Sequence, residues 1–402
     1  MGIISEPAFQ RLRRIRQLAW TDYVYPGAVH TRFEHALGVM HSATLLYDSI
    51  VRNSREVLES DLAYDDAGIS RYRQLVRLAA LLHDVGHGPF SHAGGDLLPV
   101  NADTQEQYQH EDYSASIVRT ELRSAIEDHP MCTNYGFTAE DVAALIEGTA
   151  GAKQGIFWRE LISGQMDADR MDYLLRDSHH IGVGYGRFDL HRLISTVQVI
   201  PAATSGESPR LGITEGGWHA AKALVLARYY MFTQVYFHKT RVAYDIHLRG
   251  ALSEILPGGK FPKPESAELG EFLRWNDWRV LGLLADGAGG EHGERLRSRN
   301  HYRRVYATNE VCTEADLSDL ESIRAELGPL LAAEAPAGKS WYKTGRADIP
   351  VFSETRDKAV APLSHYSSVI ANIKSNNQVL LYVKPEDVTQ AKKLIGKVLG
   401  NV

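Results

Sequence analysis

The sequence predicts a mainly α protein, with a helical core over residues 1–256 and a smaller α+β appendage over residues 257–402. Three observations carry this. Apolar residues recur at helical spacing through long stretches near residues 31–51, 71–84 and 215–255. The run Pro257-Gly258-Gly259-Lys260-Phe261-Pro262-Lys263-Pro264 is the clearest linker in the chain. Beyond it, strand-like segments at 349–352 and 379–383 are interleaved with helical patterns near 267–285, 314–334 and 386–398.

Taken in order, the first element is Phe9-Gln10-Arg11-Leu12-Arg13-Arg14-Ile15-Arg16-Gln17-Leu18, which alternates apolar and basic residues so that one face packs while four arginines meet water or an anion. Residues 23–28 read as a short strand and turn. An amphipathic helix then runs from Thr31 to about Val51, with His35 one turn in and Arg32 one turn before it on the same side. Within 71–84, Leu75, Leu78, Ala79 and Leu82 mark a buried helix whose polar residues arrive only at its C-terminal end. Gly86, Gly88 and Pro89 stop that helix and turn the backbone sharply, which brings His92 back toward His83, Asp84 and His87.

Residues 99–108 are polar and read as a surface loop, after which His110-Glu111-Asp112 opens a helix to about Ile126 with acidic residues at its positive end. A short helix is expected at 138–147 and a longer one at 157–178. On the longer one, Asp169, Asp172, Tyr173, Arg176 and Asp177 repeat at three and four, a polar stripe where a plain core helix would show leucines. His179 and His180 close it; a second metal site from the pair stays open, but neighbouring helical residues diverge by about 100 degrees, which favours a structural role. Residues 193–200 and 210–214 read as paired strands around a flexible 201–209 loop. From 215 to 255 the pattern is helical throughout. There Arg228, Tyr236, His238 and Lys239 are spaced to face one ligand, a pattern that an aromatic-rich core helix with a snorkelling lysine also fits.

The chemistry concentrates in Leu81-Leu82-His83-Asp84-Val85-Gly86-His87-Gly88-Pro89-Phe90-Ser91-His92. An isolated His-Asp pair on a helix is ordinarily a cap or a core pair, and a single His35 on an apolar helix is ordinarily a satisfied core residue. Joined with Asp169, however, His35 and His83-Asp84 supply two nitrogen and two oxygen ligands and leave positions open for water and substrate. Such a set suits one divalent ion of the Mn, Fe, Zn or Ni kind, with Mg also admissible, better than Ca.

The order His…His-Asp…Asp, with flanks Thr31-Arg32-Phe33-Glu34-His35-Ala36-Leu37-Gly38-Val39 and His83 through His92, resembles the HD-domain phosphohydrolase superfamily. Within it the chain is most similar to the dNTP triphosphohydrolases, both the bacterial enzymes and the mammalian one with an added sterile-alpha-motif domain. The likeness runs from about Phe9 to about Lys239 and fades beyond roughly Gly250. It implies an HD-domain helical core in which His35, His83, Asp84 and Asp169 bind the metal. By the same likeness His92 is the acid that protonates the leaving 5'-oxygen, and His87 and the His110-Glu111 pair complete the proton network. Gln17 and Leu18 then line the sugar and base end, Arg32 and Arg170 contact phosphate, Tyr173 packs under the sugar and Asp177 bonds a 3'-hydroxyl. Arg228, Tyr236, His238 and Lys239 contact the phosphates and sugar. The implied reaction is metal-dependent hydrolysis of a deoxynucleoside triphosphate to deoxynucleoside and triphosphate, by a homo-oligomer (dimer or tetramer) that a nucleotide activates. Ser5-Glu6 and Ala19-Trp20-Thr21-Asp22 depart from the mammalian pattern, at the activator site and at a glycine-rich turn. Two alternatives stay open: hydrolysis of another nucleotide (a nucleoside monophosphate, cyclic dinucleotide or alarmone), and a regulator that binds nucleotide or nucleic acid without turnover.

Bulk properties narrow the class. With 44% hydrophobic and 23% charged residues the chain is neither disordered nor membrane-like, and no apolar run reaches the roughly 18 residues of a transmembrane helix. A cytoplasmic protein without membrane association is expected. A net charge of -6 argues against broad nonspecific nucleic-acid binding while leaving room for a local basic pocket. Cys132 and Cys312 lie far apart and form no CxxC pair, so neither a disulfide framework nor a thiolate metal site is suggested.

Overall fold

The computed structural model describes residues 2–149, 156–201, 209–265, 267–339, 342–343, 345–353, 355 and 359–400. Its frame is the helix Arg32–Ser60, which packs on Asp66–Leu82 along one side and on Ala168–Ile181 along another. These helices carry His35 and Asp169, and His83-Asp84 follow directly on the second of them. Their shared interior is filled by large side chains such as Tyr47 and Trp158, whose rings lie 4.4 Å apart. Burial of this kind stabilises by about 1.5–3 kcal/mol per large apolar side chain.

Helix ends follow local sequence. Glu34 accepts the backbone N–H of Thr31 at 3.1 Å, which fixes the first turn of the long helix. Asp65 caps Asp66–Leu82 through the Gly68 N–H at 2.7 Å. Thr138 caps Ala139–Glu147, which ends on Gly148 at φ 75°, the left-handed position glycine tolerates best.

Several expected elements break. Residues 23–28 form no strand: Tyr25 N–H bonds Thr21 O at 2.8 Å and Ala28 N–H bonds Tyr25 O at 2.8 Å, so turns use the backbone groups a ladder would need. The helix at 110–126 is two helices, His110–Arg119 and Arg123–Glu127. The 157–178 helix is a 3₁₀ turn, Ile156–Leu161, followed after Ser163-Gly164 by the helix Ala168–Ile181. The 215–255 run is interrupted by a π-turn at Phe232–Tyr236 between Trp218–Met231 and Lys239–Ile255. The 267–285 run is likewise two helices, Leu269–Leu273 and Asp277–Ala285. Glu314–Leu327 stops short of 334 because Gly328-Pro329 follows. The strands Val197–Ile200 and Arg210–Thr214 pair antiparallel as expected, although helix Leu190–Thr196 occupies the start of the 193–200 segment; most of the loop between the strands lies outside the described residues.

Among the described residues, two sheets complete the fold. In the four-stranded one, Arg210–Thr214 pairs in parallel with Pro350–Phe352, which pairs antiparallel with Val360–Pro362. In the three-stranded one, Asn376–Val383 lies between Arg303–Ala307 and Leu331–Lys339. The central strand alternates as its pleat requires. Leu380 and Tyr382 face Val242 and Ala243 of helix Lys239–Ile255, while Leu381 and Val383 face Leu320, Ile323, Ala391 and Ile395. The linker is packed: Phe261 is buried, Tyr113 donates to Pro262 O at 2.6 Å and Ser116 to Pro264 O at 2.5 Å.

Candidate active site

Four elements converge at the C-terminal end of Asp66–Leu82. His83 caps that helix, and the following turn is clamped by Ser114, whose hydroxyl donates to His83 O at 2.6 Å and accepts the Gly86 N–H at 2.9 Å. A side chain at Gly86 would stand 2.3 Å from His110 O, so this close approach is what places His110 beside the turn. Asp167 opens the fourth element by accepting the Arg170 N–H at 2.7 Å, which puts Asp169 in the first helical turn.

His35 Nε2 lies 3.0 Å from Asp169 Oδ1 and 3.4 Å from Asp84 Oδ2; His83 Nε2 lies 3.3 Å from Asp84 Oδ1 and 3.8 Å from Asp169 Oδ1. The tautomers are set from behind. His35 Nδ1 donates to Asp172 at 2.8 Å and His83 Nδ1 donates to Ala80 O at 2.8 Å, which leaves a lone pair on each Nε2. Both Nε2 atoms are buried and lack a hydrogen-bond partner of acceptable geometry. Two imidazole lone pairs facing two carboxylates fit one divalent ion: ligand atoms of His35, His83 and Asp84 lie within 4.8 Å of one another, and Asp169 Oδ1 is 3.0 Å from His35 Nε2. The electrostatics agree. Burial alone would keep His35 neutral, yet the carboxylates of Asp169, Asp172 and Asp84 outweigh burial and raise its pKa well above the ordinary value, so they favour a positive charge at Nε2. Burial opposes ionisation of Asp84 and Asp169, but Arg32 and His83 around the first and His35 and His83 around the second hold both below the usual carboxylate range. The carboxylates therefore draw positive charge into the site.

Beside this centre, the His87 and His110 rings stack at 3.9 Å and His92 meets both edge-on, at 4.7 and 5.4 Å. Burial, then Arg32 and His110, keep His87 well below its ordinary pKa, hence neutral. His110 Nδ1 is 3.0 Å from Glu111, and that contact holds the half-buried Glu111 carboxyl below its usual pKa against the effect of burial.

A cleft of about 510 Å³ opens beside His83, Asp84 and Asp169. Gln17, Leu18, Arg32, His92, His110, Glu111, Arg170, Tyr173, Asp177, Arg228 and Tyr236 all line it, from segments more than two hundred residues apart. His87 lies behind the wall, 3.3 Å from Asp84 Oδ1. His238 and Lys239 are not brought to the cleft, because the π-turn and the break after it end the 3.6-residue spacing on which that expectation rested. His238 instead caps the next helix through the Thr240 N–H at 3.3 Å, and Arg241 lines the cleft. Arg32 pairs with Asp84 and donates to Ser91 at 2.7 Å. Asp177 accepts from His30 at 2.7 Å and from Tyr236 at 2.6 Å. Asp172, which also holds Arg176 through two bonds of 2.8 Å, and His30 had no assigned role in the sequence reading. Only the position of Asp172 on the polar stripe could have signalled it.

The HD domain family model matches residues 32–177, and the HD associated region model matches residues 188–329. The chain therefore carries an HD domain followed by an HD associated region. The HD segment contains His35, His83, Asp84 and Asp169 and the turn after His83. Uncharacterized protein YwfO of Bacillus subtilis is 37% identical over 59% of this chain and 47% of its own. A Dictyostelium discoideum protein named deoxynucleoside triphosphate triphosphohydrolase SAMHD1 homolog is 30% identical over 63% of this chain and 46% of its own. The chain thus spans about half the length of these curated relatives. A crystal structure of a hypothetical protein from Aquifex aeolicus superposes with a TM-score of 0.78 at 28% identity, over 98% of this chain and 95% of that one.

Proposed function

We propose that this HD protein hydrolyses deoxynucleoside triphosphates to deoxynucleoside and triphosphate. The observation that carries the reading is the composition of one continuous cleft. It holds the His/Asp set at one place, four arginines (Arg32, Arg170, Arg228 and Arg241) along it, and Gln17, Leu18, Tyr173, Asp177 and Tyr236 with the aromatic and hydroxyl-bonding character a nucleoside requires. The relatives named as dNTP triphosphohydrolases support the same reading.

A divalent ion held by His35, His83, Asp84 and Asp169 would polarise a phosphoryl oxygen and acidify water. The arginines gather the triphosphate and offset charge that spreads over its equatorial oxygens during transfer. Tyr173 offers a ring face to the sugar, and Asp177, held by His30 and Tyr236, offers carboxylate lone pairs to a sugar hydroxyl. In the reaction, water adds at the α-phosphorus and the bond from that phosphorus to the 5'-oxygen breaks. His92 delivers a proton to the departing 5'-oxygen, and the His110-Glu111 pair takes up the proton the water loses, with neutral His87 stacked on His110 to hold it in place.

The test is incubation with Mn and each dNTP in turn, followed by chromatographic separation. Deoxynucleoside with intact triphosphate is expected. A monophosphate with pyrophosphate, turnover of only another nucleotide class, or binding without turnover would overturn the reading. Asp84→Ala is expected to lower turnover at least a thousandfold and to strip the metal, measured by elemental analysis; retained activity would remove the proposed site.

A further inference from the structure

Asp277 opens helix Asp277–Ala285, outside the cleft lining, and is 1% exposed. Its two carboxylate oxygens serve two different segments. Oδ2 accepts the backbone N–H of Arg16 at 2.8 Å and Oδ1 accepts the backbone N–H of Phe90 at 2.7 Å. Arg16 directly precedes Gln17 and Leu18, and Phe90 begins the turn Phe90-Ser91-His92, and these five residues from Gln17 to His92 all line the cleft.

That turn needs holding. Phe90 and Ser91 sit consecutively in the left-handed region, at φ 56° and 60°, where a side chain crowds the backbone. Such conformations persist where the surroundings over-determine them, and they concentrate at functional sites. Here the Ser91 hydroxyl donates to Arg16 O at 2.6 Å while accepting from Arg32, and the Phe90 ring stacks on Trp20 at 5.1 Å. Next to Asp277, Arg11 is fully buried. It donates to Trp275 O at 3.0 Å and to Val85 O at 3.4 Å, tying the same C-terminal segment to the turn between His83 and His87.

We infer that Asp277 is a positioning residue for the hydrolytic reaction: its carboxylate fixes the Gln17-Leu18 wall and the His92 turn at a set separation, and so aims the His92 imidazole. This role rests on the proposed part of His92 in proton delivery. It is carried by the juxtaposition of one buried carboxylate with two N–H groups, one on each cleft-lining segment.

Asp277→Asn tests it, because an amide keeps the size but offers only one acceptor oxygen to two donors. In the Mn-loaded full chain, metal content is expected to be unchanged, kcat on the best dNTP to fall at least tenfold and KM to move less than threefold. Misplacements of about 1 Å cost rates of this order. In a His92→Asn background the further loss from Asp277→Asn is expected to vanish. Leu320→Ala, a comparably destabilised control in the C-terminal cluster, is expected to keep the wild-type kcat. Wild-type kcat in Asp277→Asn, or an equal loss with and without His92, would overturn the proposal. Should no dNTP be hydrolysed, the function proposed above fails, and hydrogen exchange decides this one separately: amides in 86–94 and 14–19 are expected to exchange at least tenfold faster in Asp277→Asn, and unchanged exchange overturns the clamp. If that variant does not fold, Asp277→Glu, which overreaches by one methylene, replaces it with the same expected results.

Discussion

Asp172 touches no expected substrate group, yet it decides the state of His35. Its Oδ2 takes the His35 Nδ1 proton and, with Oδ1, both Arg176 bonds, so every oxygen faces a donor. In Asp172→Asn one of those positions becomes an NH₂ group pointed at another donor. Metal affinity, read by competition with a chelating dye, is expected to fall about 10–100-fold, the usual scale for losing such a partner, with only a small change in melting temperature. Asp277 gives a residue-scale expectation of a different kind. Burial raises its pKa from 3.8 to about 6 against the opposing pull of the Arg16 and Phe90 N–H groups and of the Arg16 and Arg11 cations. A folded state that holds a proton more tightly than the unfolded chain gains stability at low pH, fully present below 3.8 and lost as pH rises through about 6. A two-unit difference corresponds to about 3 kcal/mol. The melting temperature of the wild type minus that of Asp277→Asn is therefore expected to rise as pH falls from 7.5 to 5; parallel curves would deny the effect of burial.

At the scale of elements, the site depends on how closely two of them approach. Gly86 has ordinary backbone geometry, but an added Cβ would lie 2.3 Å from both His110 O and Ser114 N. Backbone atoms on a helix cannot yield cheaply, so Gly86→Ala is expected to cost at least about 1–3 kcal/mol in thermal or denaturant unfolding and to separate His110 from His87. The same contrast explains what could be read from the sequence. Helices were legible where periodicity coincided with caps, as at Thr138 and Gly148, and His35, His83-Asp84 and Asp169 could be singled out because each stands in or beside a motif at the end of a helix. The breaks near Thr120 and Phe237-His238 were not, since no glycine or proline marks them in the sequence. His238 and Lys239 were misplaced for that reason. Asp277 was invisible because its partners, Arg16 and Phe90, are 261 and 187 residues away in sequence.

For the whole molecule, the decisive question is what the HD core needs from the last third of the chain. The sequence puts a linker at 257–264, which makes the fragment 1–256 the natural one to express. In the structure, however, Phe261, Phe272, Trp275, Val280 and Leu284 belong to the same continuous apolar cluster as Phe9, Phe33 and Phe90. Phe272 lies 4.2 Å from the Tyr113 ring, centroid to centroid. At roughly 2 kcal/mol for each large side chain, losing five such residues removes about 10 kcal/mol, as much as the net stability of a typical domain. The parallel pairing of Ile213 and Thr214 with Val351 and Phe352 would be lost as well. Fragment 1–256 is therefore expected to lack a cooperative thermal transition and to bind Mn with less than a tenth of the full-length stoichiometry, by calorimetry and elemental analysis. If it melts cooperatively with a full complement of metal, the core is complete by residue 256, and the packing of 261–284 against it is dispensable.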